Sequence, residues 1–260
     1  MNETKKLTNE KKWDKDWQSV GLPQIVKTSP KPQHPYYIDV LDKFFHQHLP
    51  KNNNFELLEL GCAPGRWLHY FNKEFGYKVS GLESSNVGFG LAKQNLDMLG
   101  IKSDIYFGDV LNYKFNKKFD IIFSMGLVEH FNPPIEIIRK HLELTKPNGY
   151  TIIGIPNFKS FFYRFLQYLI NRQLLNQHIL LSIKDLCIFL NESIKDSEVV
   201  YLGYIGVLNF YLLGISKKEA FLQRIICYCQ IIFDKMLRIF SIKKETSLFS
   251  PYLFLILKKK

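Results

Sequence analysis

From Phe55 onward, short unbroken apolar runs alternate with longer stretches whose apolar residues return every three or four positions. The runs are "FELLEL", "KVSGLE", "DIYFGDV", "FDIIFSMG" and "GYTIIGIP"; "RWLHYFNKEF", "GFGLAKQNLDMLG" and "PPIEIIRKHLELT" lie between them. The first set predicts strands and the second helices. A strand that is apolar at nearly every position is one covered on both faces, so the alternation predicts a parallel sheet with helices on either side. The punctuation agrees: Gly100 closes one helix, Pro133 and Pro134 open another, and Pro147 and Gly149 follow it.

The flanks read differently. The first twenty residues are polar, with Trp13 and Trp17 at helical spacing, which suits either a lid or a packing face. Pro23, Pro30, Pro32 and Pro35 predict an extended segment over 21–36. "YYIDVLDKFFHQHL" predicts an amphipathic helix with Ile38, Leu41 and Phe45 on one face. Beyond Pro156, "FKSFFYRFLQYLINRQLL" and "SIKDLCIFLNES" predict helices, "EVVYLGYIGVLNFY" and "YLFLIL" an antiparallel pair of strands, and "EAFLQRIICYCQIIFDKMLRIF" an amphipathic helix between them. No apolar run reaches the ~20 residues of a bilayer span.

Composition changes this picture little. Hydrophobic residues are 46% and charged residues 23% of the 260, as in ordinary globular proteins. Four cysteines without CxxC spacing, behind a polar N-terminal stretch unlike a secretory leader, are expected to be reduced thiols in a cytoplasmic protein. The net charge of +11 raises nucleic acid or an anionic membrane surface as partners. Lysine is scattered along the chain and arginine is scarce, so a nucleic-acid partner is not expected.

The chemistry concentrates in "LLELGCAPGRW", residues 57–67. A small-residue turn between strand and helix lets backbone N–H groups approach a ligand at the carboxyl end of a parallel sheet. The turn satisfies neither GxGxxG, whose later glycines would fall at Ala63 and Arg66, nor the phosphate-binding Gly-Lys-Ser/Thr. The acid at Glu59 repels phosphate and suits an ammonium or sulfonium group. Glu83 ends the second strand, where a carboxylate accepts hydrogen bonds from ribose hydroxyls, and "GDV" at 108–110 ends the third, with Asp109 within reach of an adenine amino group. Three acids at successive strand ends, with no basic residue among them, describe a cationic adenosine ligand. Glu59 and Asp109 have a second reading, as helix caps or partners of lysines.

In this order and spacing the motifs resemble the class I S-adenosylmethionine-dependent methyltransferases over residues 36–157. "LLELGCAPGRW" looks like their first motif, "VSGLESS" their second, "IYFGDV" their third, "FDIIFSMGLVEHF" their fourth, and "LTKPNGYTIIGIPN" the next helix–strand junction. The resemblance implies an α/β, Rossmann-like, seven-stranded and mostly parallel sheet with helices on both faces and a C-terminal antiparallel hairpin. It implies S-adenosyl-L-methionine as cofactor and S-adenosyl-L-homocysteine as product. Gly61, Ala63 and Gly65 would line the methionine portion, and Glu59 would order its amino group. Glu83 with Ser84 would hold the ribose, and Gly108, Asp109 and Val110 the adenine. Ser124, Met125 and Gly126 would face the methyl group. Ala63 departs from the family, many of whose members carry glycine there.

For catalysis, "LVEHF" offers His130 as a general base, since an unperturbed imidazole titrates near neutrality, or else a Glu129–His130 pair that orients the loop. In some quinone-biosynthesis relatives an acid three residues before that glutamate completes a cation site; here Gly126 stands there and no metal is expected. His178 belongs either to the acceptor pocket or to a surface loop. Tyr36 and Tyr37 join Trp13 and Trp17 as lid candidates, and Tyr36 and Glu129 are, with His178, candidates for contact with the acceptor. The helix over 158–175 is a lid, a dimer contact or a shallow anchor on anionic lipid. Residues 1–35 are then a leader or lid, and 36–260 one domain with insertions at about 158–192 and 217–242. The expected activity is methyl transfer to oxygen of a small-molecule, sugar or lipid-linked intermediate, at the inner face of a membrane if peripheral to one. The alternatives are an RNA or protein methyltransferase and a non-catalytic cofactor-binding subunit.

Overall fold

The computed structural model describes residues 4–28, 35–193, 196–213, 220–240 and 245–260. Its sheet is built from β1 (Glu56–Leu60), β2 (Lys78–Glu83), β3 (Ser103–Phe107), β4 (Phe119–Met125), β5 (Thr145–Pro156), β6 (Ser197–Ile205) and β7 (Tyr252–Lys259). The spatial order is β3-β2-β1-β4-β5-β7-β6. The first five strands run parallel, and β7 pairs antiparallel with both β5 and β6. The helices are α1 (Glu10–Trp17), α2 (Tyr36–His48), α3 (Arg66–Phe75), α4 (Asn86–Met98), α5 (Ile135–Leu144), α6 (Phe161–Ile170), α7 (Arg172–Leu175), α8 (Ile183–Ser193) and α9 (Ala220–Phe240).

The unbroken apolar runs are explained by the two layers that cover the sheet. Because side chains alternate along a strand, Leu57, Ile121, Phe123, Phe254 and Ile256 pack on one face with Ile38, Leu41 and Phe45 of α2 and Trp67, Leu68 and Phe71 of α3. Leu58, Leu60, Ile122, Leu253, Leu255 and Leu257 pack on the other with Ile137 and Ile138 of α5 and Leu186 and Leu190 of α8. Chain direction across the sheet reverses between β1 and β4. The crevice at their carboxyl ends is where such sheets take ligands.

Several boundaries differ from the sequence expectation. The aromatic helix breaks at Asn171, whose backbone (φ −149°, ψ 79°) leaves the helical region, so two helices, α6 and α7, replace one. β3 stops at Phe107, leaving Gly108, Asp109 and Val110 in the following turn. β6 stops at Ile205, before Gly206 in the left-handed region (φ +84°). The last strand, expected over "YLFLIL", runs on to Lys259, whose Nζ donates to the carbonyls of Leu142 (2.7 Å) and Thr145 (3.1 Å). Pro30 and Pro32 of the expected extended segment, and positions 217–219 and 241–242 of the expected insertion, lie outside the described residues.

The leader is bound to the domain rather than trailing from it. Lys5–Lys6 bridges antiparallel to Phe131–Asn132, and the Leu7 N–H donates to the His130 carbonyl (2.8 Å). In α1, Asp14 Oδ1 accepts from Ser85 Oγ (2.6 Å) and the Val87 N–H (3.1 Å), capping the start of α4.

Candidate functional site

The turn after β1 needs its glycines. Gly61 and Gly65 sit at φ +73° and +86°, where a side chain is strained, and a Cβ on Gly61 would press Leu127 at 3.3 Å. The turn is tied to the next strand by Glu83. Its Oε2 accepts from the Ala63 N–H (3.1 Å), and its Oε1 from the N–H groups of Ser84 and Ser85 (2.9 Å each). Burial pushes the Glu83 carboxyl up while the three N–H groups draw it down, with a net upward shift. A methyl at Ala63 is accommodated, since its N–H keeps this bond.

Glu59 lies in register with Gly81 on one side and Phe123 on the other. It is buried, and its Oε2 has no hydrogen-bond partner among the described residues. Burial pushes its carboxyl well above the usual range; the Arg66 guanidinium and the Leu68 N–H oppose the shift and Glu83 adds to it. A buried acceptor without a donor is costly. A ligand bringing an ammonium or sulfonium group would satisfy it, so the residues present fit the cofactor that the motifs imply.

A cavity of about 50 Å³ lies beside this turn, lined by Gly61, Leu82, Ser84, Gly108, Asp109, Val110, Leu127, His130 and Phe131 together with Lys6, Thr8 and Trp13 of the leader. Ligand pockets occupy a few hundred Å³, so the leader as placed closes the crevice. The expectation that no basic residue stands among the acids is corrected here. Lys6 forms an ion pair with Asp109, and Asp109 Oδ1 also accepts from the Leu111 N–H (3.0 Å) and Asn112 Nδ2 (3.2 Å). Burial draws the Lys6 ammonium down, but Asp109 and Glu10 outweigh it and the net shift is upward. Lys6 and Thr8 carried no local signal, because the contact spans 103 positions and Lys6 is one lysine among many.

Two residues expected to face the methyl group are turned inward. Ser124 is buried and its Oγ bonds to His141 Nε2 of α5 (2.9 Å). Met125 packs against Gly154 of β5, where an added Cβ would clash with its sulfur. Leu127, over Gly61, takes the wall position instead. Tyr36 leaves the site altogether: it lines a separate cavity of about 290 Å³ with Asp39, Phe44, His48 and Tyr201. The lid candidates therefore split: Trp13 lines the crevice, Trp17 packs over Gly88 of α4, Tyr37 stands against Tyr252, and Tyr36 lies in the second cavity.

Glu129, His130 and His178 come together although 48 positions separate the last two. Val128–His130 is one 3-10 turn after β4, and the Ile179 N–H donates to the Glu129 carbonyl (2.8 Å), drawing the second segment alongside. His130 Nδ1 meets the Gln177 carbonyl (2.9 Å) and His178 Nδ1 the Leu174 carbonyl (2.7 Å). Each Nδ1 must carry the proton to make these bonds, which leaves Nε2 as an acceptor. The two rings are 4.5 Å apart, and Trp13 stands edge-on to His130 at 5.0 Å. Burial, then His178 and Lys12, push the His130 imidazole down to about 3, and burial pushes His178 down to about 4. The near-neutral titration expected of His130 is thereby corrected. Glu129 is fully buried and pushed up to about 8. Donor atoms of these three residues lie within 4.8 Å of one another. Closing them on a zinc ion would mean drawing them to about 3.4 Å.

A family model described as a methyltransferase domain matches residues 33–192. The tRNA U34 carboxymethyltransferase of Desulfotalea psychrophila is 28% identical over 123 residues, 42% of this chain and 36% of that protein. The ubiquinone biosynthesis O-methyltransferase of Pelagibacter ubique is 31% identical over 104 residues, 40% of this chain and 43% of that protein. The chain thus spans less than half the length of these curated relatives. Among solved structures, the cyclase SpnF superposes with a TM-score of 0.60 at 15% identity, covering 85% of this chain and 80% of its own, a likeness of fold alone. The family match covers more than half of the chain and falls on the strands, turn and acids described above, and the chain belongs to the methyltransferase-domain family, the class I S-adenosylmethionine-dependent enzymes its motifs resemble.

Proposed function

We propose that this chain transfers the methyl group of S-adenosylmethionine to an oxygen of a small-molecule, sugar or lipid-linked biosynthetic intermediate. The observation that carries the reading is the pair of buried carboxylates at the β1 turn, Glu59 with an unpartnered oxygen and Glu83 held by three N–H groups. An anionic ligand is repelled by both and a cationic nucleoside is attracted. The Pelagibacter relative, an O-methyltransferase by name, supports oxygen as the target.

When bound, the cofactor supplies a methyl group already activated by a sulfonium leaving group. The protein's part is to align and to exclude water. Glu59 receives the ammonium group, Glu83 the ribose hydroxyls, and the turn of Gly61, Ala63 and Gly65 the chain between them. Ser84, Gly108 and Val110 flank the nucleoside, and Asp109 accepts from the adenine once Lys6 has moved. The leader must swing outward for the nucleoside to enter, since the cavity it leaves is about 50 Å³.

The acceptor hydroxyl lies against Glu129, His130 and His178. Its proton is handed to His130 Nε2. An imidazole at about 3 is a weak base in the resting protein. A hydroxyl becomes strongly acidic as its oxygen gains a methyl, so a weak base suffices late in the transfer. Glu129, protonated at neutral pH, can donate to the same oxygen or to its neighbour on a diol.

The test has two stages. Calorimetric titration with S-adenosylhomocysteine reads cofactor binding, and labelled methyl transfer to sugars, phenols and tRNA reads the acceptor. Transfer to hydroxyl compounds is expected. Transfer confined to tRNA, the substrate named for the Desulfotalea relative, would replace the acceptor assignment, and binding without transfer would leave a cofactor-binding subunit. His130→Ala is expected to lower the transfer rate about a hundredfold with S-adenosylhomocysteine affinity unchanged; a full rate removes the proton-acceptor role.

A further inference from the structure

Helices α6 and α9 belong to the insertions after β5 and β6, which a bare seven-stranded sheet does not need. Both are fastened to the domain through polar side chains. From α6, Gln167 Nε2 donates to the Leu212 carbonyl (3.2 Å), and the Tyr163 hydroxyl donates to the Phe249 carbonyl (3.0 Å) while accepting from the Asn209 N–H (2.9 Å). From α9, Gln230 Oε1 accepts from the Phe210 N–H (2.7 Å) and its Nε2 donates to the Leu208 carbonyl (3.3 Å). Arg238 pairs with Asp39 of α2 at 3.0 Å. Both helices are therefore fixed to the same stretch, 208–212, and each turns a partly polar face to the protein.

The outward faces are apolar, the reverse of a soluble surface helix. On α6 they carry Phe161, Phe165, Tyr168 and Leu169. On α9 the repeat Phe221, Ile225, Tyr228, Ile232, Met236, Ile239 forms one stripe at helical spacing. These residues are not grazing solvent: Phe161 is 76% exposed, Phe221 79%, Tyr228 68% and Ile239 74%. Arg224 and Lys235 stand within the α9 stripe by helical spacing and are exposed, and Arg172 of α7 lies over the Tyr168 ring at 4.0 Å. Among the described residues of α6, α7 and α9 the one acid is Asp234, which is buried.

We propose that the outer faces of α6, α7 and α9 form a docking surface for a bilayer bearing anionic phospholipid headgroups. The charge pattern selects this occupant. A second copy of the chain meeting the face isologously would bring Arg224 and Lys235 against like charges with no acid on either face to offset them. A lipid surface accepts the apolar stripe into the acyl boundary, while the long basic side chains reach back to phosphates. No described helix is long and apolar enough to cross the membrane, so the contact is with one leaflet. The surface does not include any residue assigned to the cofactor or the acceptor, and it stands whether or not the oxygen-methylation reading holds.

The experiment is co-sedimentation of the full chain with phosphatidylcholine vesicles, with and without phosphatidylglycerol. Binding is expected only with the anionic lipid and should weaken as salt rises. The variant Arg224→Glu/Lys235→Glu, and separately Phe221→Ser/Tyr228→Ser/Ile239→Ser, should each lower vesicle binding more than about tenfold. Calorimetric titration with S-adenosylhomocysteine serves as the folding control and should be unaltered in both. Sedimentation velocity runs alongside. Wild-type protein that ignores both vesicle types overturns the proposal, as does equal binding to neutral lipid or a dimer that the triple serine variant dissociates.

Discussion

Two buried carboxylates keep an oxygen without a partner among the described residues, Glu59 on the cofactor side and Glu129 in the acceptor corner, and their neighbours set them to different tasks. Burial pushes both upward. Glu59 has the Arg66 guanidinium nearby and shares its rim with Glu83, so the region is prepared for a cationic group held between acids. Glu129 has two histidines beside it, both driven neutral, and no basic side chain among the causes of its shift. At neutral pH it stays protonated and is a hydrogen-bond donor. On the proposed reading the same residue type serves charge recognition at one point and neutral alignment at the other, and the difference lies in what else is buried beside it.

The comparison breaks most visibly at Glu83. Replacing it with Ala removes the proposed ribose acceptor and strips three N–H groups of their partner. Hydrogen bonds to a charged group contribute roughly 1.5–3 kcal/mol each, so S-adenosylhomocysteine affinity should fall about a thousandfold in calorimetric titration. The exposed N–H groups also cost stability, so a melt of the unliganded variant must accompany the titration. Unchanged affinity in a folded variant would remove the cofactor side of the comparison.

The two orphaned oxygens can then be set against each other directly. Glu59→Gln keeps the shape and removes the charge that the carboxyl takes on opposite a bound ammonium group. Losing a close charge–ammonium contact should weaken S-adenosylhomocysteine binding by about 2 kcal/mol, some thirtyfold. Glu129→Gln should leave that affinity unaltered, because the protonated acid it replaces is itself neutral. Equal losses in the two variants would mean that both acids meet the cofactor and that the division of labour is wrong.

What could be read along the chain follows the same division. The residues proposed for the cofactor could be named together because they are local: the acid, the glycines and the helix start lie within ten positions, and Glu83 follows on the next strand. Fold class and the C-terminal hairpin came with it. The acceptor corner was legible only in part. Glu129 and His130 are adjacent, but His178 joins them through a contact between distant loops, and burial, invisible in the sequence, lowers both imidazoles. Ser124 was misplaced because a serine at a strand end looks the same whether it faces a ligand or His141. Lys6 was missed because nothing near it marks one lysine as the partner of an aspartate 103 positions away. The break at Asn171 was hidden inside an unbroken aromatic pattern.

A pH titration sharpens the acceptor side on its own. The Glu129 carboxyl sits near 8 when folded and at 4.5 when free, so the native state holds the extra proton between those values. Its contribution is complete below about pH 4.5 and is lost as the pH rises through 8. Relative to wild type, Glu129→Gln should gain about 1.4 kcal/mol of stability for each pH unit between 5.5 and 7, and less as the pH approaches 8, measured by urea unfolding. His130 acts in the opposite sense, its contribution being lost as pH falls from 6.5 toward 3, and it is common to both proteins in the difference. A difference independent of pH would place the Glu129 carboxyl in contact with a cation or with water.

The smallest effect concerns the bridge between the two regions. The leader touches both: Lys6 pairs with Asp109 on the adenine side, and Leu7 and Trp13 contact His130 on the acceptor side. Binding a nucleoside must first break the Lys6–Asp109 pair, which is partly exposed and therefore weak, about 1 kcal/mol or less. Lys6→Ala removes that cost and frees Asp109 for the adenine, so S-adenosylhomocysteine should bind about threefold more tightly, chiefly through a faster association rate in stopped flow. The gain should shrink at high salt, where the pair is already screened in wild type. Weaker binding in the variant would reverse the assignment: Lys6 would then be a ligand of the bound state, and the leader part of the site rather than its gate.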